Sequence, residues 1–245
     1  MLTVVGASLL SFGVAAHITS GFPDRSGGSV SGYANLGTTA TGYNQRAYSY
    51  QTDAFPKGEG PNVLVLGNSF GRDMVNVILE AMRNTPLNLV YRSDHYDCFA
   101  ANSDPVFNEL LSAADIVFMA SSLLPQECCV SKDIARVTES GGRIVYVGTK
   151  HFGYNLNWVM RVAEDRRSNL TNALMGATLQ HERDMAAMVP AEHRLSILDA
   201  ILVGGRVPIT DSHGQILSPD RTHLTHAGVR RVAAALNWSV FSGKK

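Results

Sequence analysis

The stretch "PNVLVLGNSFGRDMVN", residues 61–76, decides how the rest of the chain is interpreted. Its apolar run, residues 62–66, predicts a buried β-strand, and a helical pattern follows after Gly67 and Asn68. Ser69 therefore lies between the end of a strand and the start of a helix. Two interpretations are open. Either Ser69 caps the helix beside two turn residues, or its hydroxyl is a nucleophile held clear of the sheet.

The rest of the chain alternates short β-rich runs with helical patterns. Strands are predicted at 62–66, 88–92, 115–121 and 143–149, and helices at 72–84, 104–114, 131–142 and 225–238. A longer helical region is predicted at 156–188, whereas 195–203 is ambiguous between strand and helix. This alternation predicts an α/β fold with a parallel sheet covered by helices on both faces. Binding sites in such sheets lie at the carboxyl ends of the strands, where Ser69 is expected.

The composition favours one sizeable domain with an appendage. The chain has 245 residues, 45% of them hydrophobic, and a formal net charge of +0. Because it lacks the basic stripe that phosphate-backbone binding requires, we expect no nucleic-acid partner.

The cysteines and acidic residues do not predict a metal site. Cys98, Cys128 and Cys129 form no Cys-x-x-Cys pair, so zinc is not expected. A disulfide from Cys98 to Cys128 or Cys129 and buried free thiols are both open. The run at 94–97, Asp-His-Tyr-Asp, is attributed to a solvated loop.

The chain divides into three segments. Residues 1–19 form a hydrophobic stub, interpreted as the remnant of a membrane segment because its apolar run is shorter than about 20 residues. Residues 20–60 are rich in Gly, Ser, Thr, Tyr and Asn and predict an extended linker that wraps the domain through Tyr43, Tyr48 and Tyr50. Residues 61–245 form the α/β domain.

A second chemical motif lies near the C-terminus, in "SPDRTHLTHAG", residues 218–228. A catalytic serine needs a base within hydrogen-bond reach and a group that orients that base. Asp220 and His223 can supply both from one tight loop, if the loop folds back over the first strand end. They complete a predicted Ser-His-Asp triad with Ser69, whereas His226 is expected at the surface and Arg72 and Asp73 in an exposed first helical turn.

The two motifs together resemble a known superfamily. "VLVLGNSF" and "DRTHLTHAG" look like the first and last motif blocks of the SGNH (GDSL-type) hydrolases, whose fold is a flavodoxin-like three-layer α/β/α sandwich. "ADIVFMASS" and "VYVGTKHFGYN" add a similarity to the SGNH domains fused behind bacterial membrane acyltransferases of the acyltransferase-3 family.

The resemblance implies serine-dependent acyl transfer, with acetyl as the acyl group, onto cell-surface polysaccharide. It implies no cofactor bound by this domain, an acyl donor derived from acetyl-CoA through a fused or separate membrane acyltransferase partner, and a place at the periplasmic face of the inner membrane. A soluble periplasmic or secreted protein is the alternative. A free-standing carbohydrate acetylesterase and an inactive carbohydrate-binding domain are the alternative functions.

The chain departs from the superfamily pattern around the oxyanion. Asn68 replaces the usual Asp of the first block, and the glycine expected after the second strand is missing from "RSDHYDCF". Ser121 and Ser122 stand where an Asn is usual. The expected oxyanion donors are therefore the backbone N–H of Ser69 and the hydroxyl of Ser122.

Acceptor contacts are expected from Asn68, which also braces the loop, and from the segment after the fourth strand. His151 and Asn155 could line a groove there with Tyr154 and Trp158; alternatively, these residues pack the start of a helix.

Overall fold

The computed structural model describes residues 43–94 and 98–241. The strands within these ranges are β1 (Asn62–Leu66), β2 (Asn88–Arg92), β3 (Ile116–Met119), β4 (Arg143–Val147), β5 (Thr171–Asn172), β6 (Arg194–Leu195) and β7 (Val207–Pro208). The helices are α1 (Ser69–Ala81), α2 (Pro105–Ala113), α3 (Glu127–Glu139), α4 (Gly176–Met188), α5 (Ile197–Ile201) and α6 (His226–Ala235). Short 3₁₀ turns connect several of them.

The central sheet of the described residues is parallel, in the order β2-β1-β3-β4-β6. A separate antiparallel pair joins β5 to β7. After β1, the chain adds β2 on one side of β1 and then β3 on the other side. The direction in which strands are added therefore reverses between β1 and β3. Ligands bind at such a switch point in open α/β sheets, and the segments that follow β1 and β3 carry Ser69 and Ser121.

The strands are buried on both faces, which explains their near-continuous apolar sequences. On one face, Leu64 and Leu66 share a core with α2, α3 and α4. The opposite face is covered by α1 and α6, which pack against each other. The predicted three-layer α/β/α fold with a parallel sheet is therefore confirmed.

Several predicted helices have other bounds in the structure: the helix expected at 131–142 is Glu127–Glu139, and the helix expected at 225–238 is His226–Ala235. The helix expected at 72–84 begins at Ser69, because the side chain of Asn68 caps its first turn. The longer helical region expected at 156–188 is wrong over its first part. There the chain forms 3₁₀ turns and β5, and α4 begins only at Gly176. The ambiguous segment 195–203 divides between the end of β6 and α5.

The end of the predicted linker packs on the domain. The Tyr43 ring lies 4.6 Å from that of His226, and the Tyr48 ring lies 6.2 Å from that of Tyr91. The hydrophobic stub and residues 20–42 lie outside the described residues. Within 43–94 and 98–241, no helix is both long and apolar enough to cross a bilayer.

Candidate active site

Ser69 is the first residue of α1. Asn68, and not Ser69, is the N-cap, since its Oδ1 accepts a hydrogen bond from the N–H of Phe70 at 3.0 Å. The amide Nδ2 of Asn68 donates to Ser122 Oγ at 2.8 Å, so it ties the β1 loop to the β3 loop. The N–H of a first helical residue has no intrahelical acceptor, and the helix dipole places partial positive charge there.

The loop before Ser69 is held by close backbone packing. Gly67 has a φ of 153°, and a Cβ added there would lie 1.8 Å from the carbonyl oxygen of Ala120. The Tyr91 hydroxyl lies within hydrogen-bond distance of the carbonyl oxygens of Gly67 and Asn68, at 3.1 and 2.9 Å. Burial raises the pKa of Tyr91 to about 12, so this hydroxyl keeps its proton at neutral pH. The serine is thus presented by a braced turn.

Asp220 and His223 are hydrogen-bonded partners. Asp220 Oδ2 lies 2.5 Å from His223 Nδ1, and Oδ1 accepts from the N–H groups of Thr222 and His223 at 3.0 and 2.9 Å. Partial burial pushes the pKa of Asp220 upward, but the hydrogen bonds from His223 and Thr222 outweigh it and hold that pKa below its usual value. An ionised carboxylate at Nδ1 assigns the proton to that nitrogen and leaves Nε2 as the basic atom.

The Nε2 atom of His223 is buried and has no hydrogen-bond partner among the described residues. The hydrogen bond to Ser69 Oγ that the triad predicts is therefore not formed in this structure. Hydrogen bonds between a nucleophile and its base are often long without substrate and shorten in the reacting complex. The triad of Ser69, Asp220 and His223 stays a prediction.

The His223 loop nevertheless docks on the helix that begins with Ser69. The N–H of Leu224 donates to Asp73 Oδ2 at 3.0 Å, and Asp73 lies about one turn after Ser69 on α1. Asp73 is completely buried, so its expected place in an exposed first turn is wrong. Its carboxylate also pairs with Lys150 Nζ at 2.8 Å. The two motifs, distant in sequence, are thus brought to the same end of the sheet.

The segment after β3 carries two serines, Ser121 and Ser122. Ser122 is an exposed residue whose Oγ accepts from the side-chain amide of Asn68, whereas Ser121 Oγ accepts from the N–H of Leu123 at 3.1 Å. Ser121 also lines a cavity of about 20 Å³ beside a disulfide between Cys98 and Cys129. The structure thus selects Cys98–Cys129 from the pairings that the sequence left open.

The predicted acceptor residues after β4 make local hydrogen bonds. His151 Nδ1 accepts from the N–H of Gly153 at 3.1 Å, and Asn155 Oδ1 accepts from the N–H of Asn157 at 2.8 Å. Partial burial, followed by the charge of Arg221, lowers the pKa of His151, so its imidazole is neutral at pH 7. The Tyr154 side chain is 60% exposed beside them. Their role in binding an acceptor stays a prediction.

No group of three or more His, Cys, Asp or Glu residues in the described part of the chain is arranged to hold a metal ion. Asp94 pairs with Arg92, at 2.7 Å between Oδ2 and Nη2. His95 and Asp97 lie outside the described residues. His226 is an exposed residue, as expected. The part of its side chain that is buried, followed by the charge of Arg230, lowers its pKa.

Comparison with solved structures yields a similar domain. The periplasmic domain of a lipopolysaccharide acetyltransferase from Salmonella ser. Paratyphi A aligns with a TM-score of 0.54 and 13% sequence identity, over 78% of this chain and 86% of that one. The two domains share a fold. No family model matches the chain, and no curated protein matches its sequence.

Sequence reasoning missed Lys150. It lies in "GTKHFG", directly after a strand, where a lysine is ordinarily a solvated loop residue. Its position at the carboxyl end of β4, near the edge expected to carry the site, was the available signal.

Proposed function

We propose that this domain transfers an acyl group, with acetyl the group we expect, to a hydroxyl of cell-surface carbohydrate through an acyl-serine intermediate. The observation that carries the proposal is the docking of the Asp220–His223 loop on the helix that begins with Ser69, through Leu224 and Asp73. That contact supports a nucleophile and a base at one edge of the sheet. The shared fold with a lipopolysaccharide acetyltransferase domain supports the carbohydrate acceptor.

In the first step, Ser69 Oγ attacks the carbonyl carbon of the acyl donor while His223 Nε2 takes the hydroxyl proton. The N–H of Ser69 and the hydroxyl of Ser122 donate to the oxyanion, and the dipole of α1 favours the same negative charge. Collapse of the tetrahedral intermediate breaks the bond to the leaving group, which receives the proton from His223. The product is Ser69 esterified at Oγ.

In the second step, the carbohydrate hydroxyl attacks the acyl-serine carbonyl. His223 takes the proton of that hydroxyl and returns it to Ser69 Oγ as the ester bond breaks. Asp220 keeps its negative charge throughout, because its pKa is held low, and it orients and stabilises the imidazolium. Water attacking in place of the sugar would make the same site an esterase.

The proposal places the domain at the periplasmic face of the bacterial inner membrane, beside a fused or separate membrane acyltransferase that delivers the acyl group from acetyl-CoA. The Salmonella domain is itself described as periplasmic. The disulfide between Cys98 and Cys129 is consistent with an oxidising compartment.

Labelling with a fluorophosphonate probe, followed by peptide mass spectrometry, tests the nucleophile. We expect covalent labelling at Ser69 and its loss in Ser69→Ala. The control, Ser112→Ala, removes an exposed hydroxyl on α2 that donates only to the backbone oxygen of Asn108. No labelling of the folded wild-type chain would overturn the proposal and favour a binding domain.

Incubation with a chromogenic acetyl ester then separates transfer from hydrolysis. If the domain is a transferase, we expect acetylated oligosaccharide to accumulate when a sugar acceptor is added to the ester. Acetate release that is unaffected by any sugar acceptor would contradict transfer and favour an acetylesterase.

A further inference from the structure

A buried ion pair lies beneath the proposed triad. Lys150, just after β4, and Asp73, on α1, are 1% and 0% exposed and lie 2.8 Å apart between Nζ and Oδ2. Neither residue has a role in the chemical steps above. Removing two charges from water costs several kcal/mol per ion in real proteins, so a buried pair is weak evidence for stability.

The pair holds the peptide groups on both sides of His223. Lys150 Nζ donates to the carbonyl oxygen of Thr222, which belongs to the peptide before His223. Asp73 Oδ2 accepts from the N–H of Leu224, which belongs to the peptide after it, at 3.0 Å. The backbone of His223 is therefore fixed at two points by a single ion pair.

The same pair is tied to the nucleophile segment. Lys150 Nζ lies 3.5 Å from the centroid of the Phe70 ring, and Phe70 directly follows Ser69. A cation at this distance over an aromatic face is attracted by the ring. Lys150 thus contacts the β1–α1 junction and the His223 loop at once.

Two hydrogen bonds between the segment after β4 and Arg221 hold the loop on the other side of His223. The N–H of Phe152 donates to the carbonyl oxygen of Arg221 at 2.8 Å, and Arg221 Nη1 donates to the carbonyl oxygen of Tyr154 at 3.0 Å. Arg221 has a φ of 87°, a conformation that costs energy for a residue with a side chain. The surrounding contacts hold that conformation between Asp220 and His223.

We propose that Lys150 and Asp73 are positioning residues, which fix the His223 imidazole relative to Ser69 by holding both peptide groups that flank it. This inference rests on the proposed acyl transfer for its kinetic consequence, but the placement of His223 can be measured separately. A hydrophobic pair of similar volume would fill the same space without holding either peptide group.

The experiment compares Lys150→Met with the hydrophobic double variant Lys150→Met/Asp73→Leu in the full chain, because leucine offers no acceptor to the N–H of Leu224. The single variant leaves the buried Asp73 carboxylate with only the more distant Arg72, whose Nη2 lies 4.0 Å from Oδ1, whereas the double variant removes both charges of the Lys150–Asp73 pair. Lys132→Met, an exposed lysine on α3, is the matched control. For each protein, urea unfolding gives stability, and fluorophosphonate labelling gives the maximal inactivation rate kinact and the probe constant KI.

Positioning predicts a fall of about 100-fold in kinact for Lys150→Met, with KI changed by less than about twofold, since a misplacement of about 1 Å costs this much. The double variant should regain much of the unfolding stability but not kinact. Recovery of kinact together with stability, or a wild-type kinact in either variant, would overturn the inference. If Lys150→Met does not fold, the double variant alone decides.

A second readout does not depend on activity. The Nδ1 proton of His223, bonded to Asp220, should give a low-field ¹H NMR resonance that disappears in His223→Gln. Loss or broadening of that resonance in the folded double variant supports positioning, and an unchanged resonance contradicts it. If the wild-type chain shows no labelling at Ser69, the proposed function fails while this measurement still decides whether Lys150 and Asp73 place His223.

Discussion

Asp220 Oδ2 lies 2.5 Å from His223 Nδ1, within a loop that also directs two backbone N–H groups at the other carboxylate oxygen. This carboxylate is therefore saturated with donors before any substrate arrives. It fixes both the tautomer of the imidazole and the conformation of the loop that carries it.

Asp220→Asn should lower the rate of Ser69 labelling by about three to four orders of magnitude, because the amide cannot keep the proton on Nδ1. Asp199→Asn, at an exposed aspartate of α5, is the control and should label like wild type. Stopped-flow measurement of the labelling rate checks this. A loss of less than about tenfold in Asp220→Asn would show that this carboxylate does not orient the base.

The stability of the domain should depend on pH through the same carboxylate. Its folded-state pKa is held below the value of about 3.9 expected for an unfolded chain, so it contributes stability above that pH and loses it as the pH falls towards the folded pKa. The difference in unfolding free energy between wild type and Asp220→Asn should therefore be largest near pH 6 and shrink below about pH 4. Urea titrations at several pH values measure it. A pH-independent difference would contradict the assignment.

Ser122→Ala should lower the labelling rate by about 100-fold if its hydroxyl donates to the oxyanion. Ser121→Ala is the natural control, since Ser121 Oγ is engaged with the backbone of Leu123. Comparison of kinact for the two variants, at unchanged KI, is the measurement. Equal rates for both variants would show that Ser122 does not donate to the oxyanion and would leave that role to the backbone N–H of Ser69.

The approach of the β1 and β3 ends depends on Gly67. A methyl group at this position would lie 1.8 Å from the oxygen of Ala120, so Gly67→Ala should destabilise the fold by several kcal/mol or prevent folding. Gly176→Ala is the counterpart, because a Cβ at the start of α4 meets no atom within 4 Å. That change should be neutral or stabilise by up to about 1 kcal/mol. Urea unfolding of both variants checks the contrast, and equal effects would disprove it.

Reduction should destabilise the wild-type chain. The bond between Cys98 and Cys129 closes a loop across a sequence separation of 31, and such crosslinks contribute about 2–4 kcal/mol. Dithiothreitol should lower the urea midpoint of wild type but not that of Cys98→Ser. An equal effect of dithiothreitol on both proteins would exclude this disulfide as the cause.

The sequence predicted the sheet better than the helix starts. Strands such as Asn62–Leu66 are buried on both faces, so nearly all of their residues are apolar. Such short apolar runs can be recognised from the sequence alone. Helix α1 begins with Ser-Phe-Gly, which are weaker helix formers than the residues that follow, so the sequence placed its start three residues late.

The candidate site was predictable only where its parts are local. Asp220 and His223 are three residues apart, and a tight loop brings them together, as their spacing indicated. The burial of Asp73 and Lys150 depends on three segments that meet only in the folded chain, so each residue resembles an ordinary surface charge in the sequence. Tertiary contacts of this kind leave no periodic signal.

The hydrogen bond from Leu224 to Asp73 joins residues that are 151 positions apart, so it can form only late in the synthesis of the chain. During synthesis, helix α1 leaves the ribosome long before the loop that completes its surroundings. A product cut short before residue 224 would keep Lys150 as a partner of the Asp73 carboxylate but lose the N–H of Leu224, at a cost of about 1–3 kcal/mol out of the roughly 5–15 kcal/mol of a typical domain. Incomplete copies should therefore be less stable than finished chains and be cleared faster by proteases.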